Sequence, residues 1–120
     1  MNLFLQIRIV DNQFEFITPF VLDDVHCFDL DNFSSKEVVH VAEHALGKAD
    51  KLLLFFQLQN TQIMGSLLNV TAKALKFSGN KQLLYSGENS QISPIILKFG
   101  AVRVDELQLL AKAKKFFSVL

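Results

Sequence analysis

The chain has 120 residues, half of them hydrophobic, 12 of them Phe and 20% charged, which excludes a disordered polypeptide and describes one globular domain. A chain of this length buries roughly two-thirds of its extended-chain surface on folding, enough for a core without metals or disulfides. Lys and Arg together number 12 against 12 Asp and Glu, so there is no basic excess to ask for nucleic acid, and the lone Cys27 excludes an internal disulfide framework.

The charge is nonetheless divided. Residues 1–60 hold 4 Lys/Arg against 9 Asp/Glu, and residues 61–120 hold 8 against 3, so a half of −5 meets a half of +5. That polarity suits a molecule with two distinct faces or one that self-associates. Gln6 and Arg8 interrupt the first apolar stretch, unlike a secretory signal, and the longest apolar run, 52–56, is too short to span a bilayer. The expected setting is therefore the reducing cytoplasm.

Along the chain, Leu3, Leu5, Ile7 and Ile9 alternate with Gln6 and Arg8, the period of a half-buried strand. Asp11 and Asn12 read as a turn, residues 14–17 as a second strand that Pro19 ends or confines to an edge, and residues 25–30 as a third. Ser34 and Glu37 form a capping-box signature ahead of a surface helix over roughly 35–48, with Val38, Val39, Ala42, Ala45, Leu46 and Ala49 on its apolar side. LLLFFQL, from Leu52, has no polar alternation and reads as a central parallel strand covered on both faces.

QNTQIMGSLL, beginning at Gln59, leads into the clearest helix, which places Ile63, Met64, Leu67, Leu68, Val70, Ala74, Leu75 and Phe77 on one side and stops at Gly79 and Asn80. Residues 82–85 are the next strand and 87–90 a loop. In SPIILKFGAVRV, either Pro94 opens a short helix through Lys98 before a strand over 101–104, or residues 95–99 are themselves the strand. Asp105 then caps a last helix with Leu109, Leu110, Ala113, Phe116 and Phe117 turned inward. This alternation predicts an α/β sandwich: a mixed sheet with a parallel core and an antiparallel N-terminal edge, helices packed on it.

Two constellations invite chemistry. His40, Glu43 and His44 fit the H-x-x-E-H string of inverted zinc peptidases, but both histidines fall on the polar side of the helix, so a solvated surface is the expectation and no metal is assigned. Asp23, Asp24, His26, Cys27, Asp29 and Asp31 concentrate ligand types in one strand, which alternation splits between two faces; an acidic edge that discourages aggregation is the simpler reading. Cys27 itself reads as a small buried hydrophobe. Neither a phosphate-binding Gly-rich loop nor a nucleophile elbow is present, so no cofactor and no catalytic residue is expected. Phe14, Phe16 and Phe20 are candidates to line an apolar pocket or a partner surface.

The order of central strand LLLFFQL, a loop, a helix opening near Gly65, a stop at Gly79 and a strand QLLYS resembles the STAS domain, chiefly over residues 35–120, and within it the SpoIIAA-like branch. The resemblance favours the short helix over 94–98. It implies a non-enzymatic regulatory module that binds a protein partner, and, through its relation to lipid-binding domains, a carrier or sensor of a small apolar ligand as the alternative. Antagonist members carry Asp-Ser-Ser-Gly before the long helix, with the first Ser phosphorylated by a partner kinase. Aligning Gly65 with that Gly leaves Gln62, Ile63 and Met64 in the other places, so the acid and both hydroxyls are missing. Thr61 reads instead as a helix cap and Ser66 as an exposed first-turn residue. The partner surface implied comprises Asn60, Thr61, Gln62, Met64, Gly65, Ser66 and Asn69, and a homodimer is the other association the sequence leaves open.

Overall fold

The computed structural model describes residues 1–11 and 22–118. Among these residues nine elements follow in order: β1 (Asn2–Ile9), β2 (Val25–Asp31), α1 (Lys36–Leu46), β3 (Lys51–Leu58), α2 (Leu67–Leu75), β4 (Asn80–Gly87), α3 (Ser93–Lys98), β5 (Val102–Arg103) and α4 (Glu106–Phe117). The strands form one sheet of order β2-β1-β3-β4-β5, and every pairing is parallel.

The parallel core is as expected, but the antiparallel N-terminal edge is not seen, because β2 runs parallel to β1 from the Asn2–Val25 pair to the Arg8–Asp31 pair. The proposed second strand over 14–17, Pro19 and the three phenylalanines Phe14, Phe16 and Phe20 lie outside the described residues. So does Asn12 of the expected turn.

The apolar run of β3 explains its place. Leu52, Leu53, Leu54, Phe55 and Phe56 are fully buried, alternately on the two faces of the sheet. Each such side chain contributes about 1.5–3 kcal/mol on leaving water, and only a strand flanked and covered on both sides collects that from every residue. On one face Leu3, Leu5, Ile7, Leu54 and Phe56 meet Val39 and Ala42 of α1, Leu67, Val70 and Ala74 of α2, and Ile96 of α3. On the other, Phe4, Leu53, Phe55 and Leu84 meet Leu109, Ala113 and Phe117 of α4.

The alternation in β1 has a different meaning from the one expected. Gln6 is 3% exposed, not solvated, and Arg8 makes a paired contact with Asp29 of β2, Nε to Oδ1 at 2.9 Å and Nη2 to Oδ2 at 2.7 Å. The polar residues Gln6 and Arg8 thus lie within the sheet and not in solvent, on the same face as the buried Phe4. Helix boundaries also shift. Ser35, not Ser34, caps α1 by accepting from the Val38 amide at 3.3 Å, while the Ser34 hydroxyl accepts from the Asp31 amide at 3.0 Å. Val38, at 48% exposure, and Leu110, at 37%, face outward, so the apolar sides of α1 and α4 are narrower than predicted. The short helix over 93–98 forms, and Asp105 caps α4 as expected.

Candidate functional site

In a doubly wound parallel sheet the strand order reverses at one point, here between β1 and β3, and crevices open beyond the carboxyl ends of the strands there. The loops that gather at this rim follow β1, β2, β3 and β4. They are held together by amide side chains.

Asn32, 4% exposed, accepts from the Val10 amide and donates to the Val10 carbonyl, both at 2.9 Å, joining the ends of β2 and β1. Gln59 accepts from the Asp11 amide at 2.8 Å and joins β3 to β1. Asn89, 2% exposed, joins β4 to β3: its Nδ2 donates to the Gln59 carbonyl at 2.9 Å and the Thr61 carbonyl at 2.8 Å. Its Oδ1 accepts from the Gln91 and Ile92 amides. A buried amide left unpaired would cost about 1–3 kcal/mol, so these side chains are committed to the scaffold.

Two glycines allow the loops to close. Gly65 has φ +57°, and a Cβ there would stand 2.1 Å from the Asn32 carbonyl oxygen. Gly87 has φ +77°, with the Leu58 oxygen 2.0 Å from the same point. The Ser66 hydroxyl completes the contact by donating to the Ser34 carbonyl at 3.0 Å. The loop after β3 is therefore seated directly on the loop after β2.

Of the seven residues assigned to a partner surface, Asn60, Gln62, Gly65 and Asn69 are exposed and Thr61, Met64 and Ser66 are half-buried. Thr61 is not a helix cap: its hydroxyl accepts from the Ile63 amide at 3.3 Å in a tight turn, and α2 begins only at Leu67. Ser66 stands at the cap position without a side-chain capping bond. Because residues 61–64 are not helical, the wheel that turned Ile63 inward does not apply, and Ile63 is 51% exposed. Leu68, also assigned inward, is 66% exposed. With Phe33 at 41% in the adjoining loop, these apolar residues were missed as surface; only the Gly65 break could have signalled the lost helical phase. Ser66 and Asn69 also line a groove of about 340 Å³ against Lys36, Val39, His40 and Glu43 of α1.

The other constellations dissolve into structural contacts. His40 and His44 are exposed, while the Glu43 carboxylate accepts from Lys73 Nζ of α2 at 2.8 Å. Among the described residues no three His, Cys, Asp or Glu side chains gather in a metal-holding group. On β2, Asp29 is engaged by Arg8, and Asp31 accepts from the Phe33 amide at 2.7 Å. Cys27 is exposed, not buried as expected, since β2 is an edge strand. Partial burial of the thiol still pushes its pKa up, against a smaller lowering by a hydrogen bond with the Leu22 backbone, which disfavours the nucleophilic thiolate.

Comparison with known proteins yields no match: no family model, no curated protein and no solved structure is similar enough to place the chain in a family.

Proposed function

We propose that the protein is a non-enzymatic interaction module that holds a protein partner with the loop after β3 and the first turn of α2. The supporting observation is the division of labour at the rim. Asn32 and Asn89 are committed to backbone groups, and what faces outward is Asn60, Gln62, Ile63, Leu68 and Asn69, with Phe33 beside them. Not one of these outward side chains carries a charge. Apolar and aromatic side chains among neutral amides, with charge depleted, are the composition of an interface centre and offer no acid, base or nucleophile.

This is the kind of activity that the STAS resemblance implies, but the proposal rests on the rim and not on the family, whose expected mixed sheet is replaced by a parallel one. The test is cross-linking and co-isolation from the native cells with Leu68→Glu, whose side chain is already 66% exposed, and with Leu107→Glu, 91% exposed on the far-face helix α4, as control. A partner captured by the wild type and the control but lost about tenfold or more with Leu68→Glu is the expected result. Equal capture by all three proteins would overturn the assignment.

A further inference from the structure

A second groove opens beyond the carboxyl ends of β4 and β5, with a volume of about 480 Å³, inside the range of small-molecule sites. Its polar residues are arranged differently from those at the rim. Arg103 of β5 lies opposite Tyr85 of β4 in register, with its guanidinium carbon 5.0 Å from the ring centroid. A guanidinium held over a ring face by the cation–π attraction still has N–H groups able to form a fork toward an anion. Among the described residues its one partner carboxylate is Glu88, at 3.3 Å, and these side chains are 53% and 82% exposed. Such a single, long, solvated contact contributes little and is easily exchanged. Pro94 and Leu97 of α3 supply an apolar wall, Leu97 being half exposed, and Ser90 lines the polar end.

We propose that this groove binds a small carboxylate with an apolar body, free or at the end of a peptide chain, with Arg103 as its anchor. The carboxylate displaces Glu88 and takes two parallel N–H···O bonds from the guanidinium, a stronger arrangement than the one it replaces. The aliphatic part lies on Pro94 and Leu97 and removes their surface from water. The larger groove of about 650 Å³ between the C-terminal ends of α1 and α2 is less suited, because the carboxylates of Glu43 and Asp50 line it beside Lys73 and Lys76, and Lys73 is held by Glu43 at 2.8 Å. The groove adjoins the partner surface at Asn60, which lines both, but its anchor Arg103 and its apolar wall lie outside that surface.

Tyr85 is the single tyrosine in a chain without tryptophan and lines this groove, so tyrosine emission is a local probe of its wall. Titration with hexanoate at constant ionic strength should change the emission saturably, whereas hexan-1-ol and hexylamine should not. Arg103→Gln should weaken hexanoate about 10–100-fold, the loss of a charge-assisted pair. Glu88→Gln should tighten it about 1.5–5-fold by releasing the guanidinium. Both side chains are largely solvated, and circular dichroism establishes that the variants are folded. Leu68→Glu should titrate as wild type, which separates this site from the partner surface. Absence of a saturable change through the millimolar range, an equal response to hexan-1-ol, or an unaltered Arg103→Gln titration would each overturn the proposal. N-acetyl-alanyl-leucine and its amide then distinguish the sources: tighter binding of the acid than of hexanoate assigns a chain terminus, and weaker binding a free carboxylate.

Discussion

Asp29 is subject to opposed influences. Burial raises its pKa above the ordinary carboxylate value, and this outweighs the lowering by the hydrogen bond and charge of Arg8. The folded state therefore binds the proton more tightly than the unfolded chain. By linkage, the stability Asp29 contributes is fully present below the unfolded pKa and is lost as pH rises through the folded one. The expected result is that the unfolding free energy of wild type minus that of Asp29→Asn declines as pH rises through the carboxylate range. Urea denaturation at a series of pH values measures it; a difference that grows with pH would show that the Arg8 pair outweighs desolvation. At this scale the sequence is least legible. Asn32 and Asn89 look like ordinary turn residues, and nothing in their neighbourhoods shows that each reaches a backbone 22 to 30 residues away.

Among the elements, α4 is the one whose start the sequence specifies most directly. Asp105 Oδ1 accepts from the Leu107 amide at 3.1 Å, satisfying one of the orphan donors of the first turn. Asp105→Ala should lower stability by about 1 kcal/mol, and Asp105→Asn by much less, both read as shifts in the urea midpoint. Helix α2 shows the converse. Its apolar periodicity extends back to Ile63, yet the backbone stays non-helical until Leu67, because Gly65 takes a positive φ and presses on the Asn32 carbonyl. A contact with another loop decided the boundary, and periodicity cannot register such a contact. The misassignment of Ile63 follows directly; that of Leu68 does not, since it stands inside α2 beside the buried side formed by Leu67, Val70, Thr71 and Ala74, an apolar face narrower than expected.

For the molecule as a whole, strand and helix alternation made the parallel core legible, while the direction of β2 was not. A parallel neighbour needs a crossover of about a dozen residues or more, and reading residues 14–17 as a strand leaves only a hairpin turn behind β1. The chain from Val10 to Asp24 is long enough for the crossover that the parallel register requires. The sheet order also ranks local stability. β1 and β3 pair on both sides, whereas β5 pairs through two residues only. Amide hydrogen exchange should be slowest in β1, β3 and the β3-facing side of β4, and orders of magnitude faster in β5 and α3. Uniform protection across the sheet would contradict this ranking.

The position of α4, after all five described strands, has a consequence for the order in which the fold can assemble during synthesis. Phe55 and Leu84 emerge first, but Leu109, Ala113 and Phe117, which pack against them, belong to α4, which follows every one of those strands. At a synthesis rate of roughly 5–20 residues per second, that apolar surface stays open for seconds after β4 has left the tunnel. For that interval Leu53, Phe55 and Leu84 lack the side chains of Leu109, Ala113 and Phe117, so the α4-facing side of the sheet is the surface that a factor shielding greasy strands would meet.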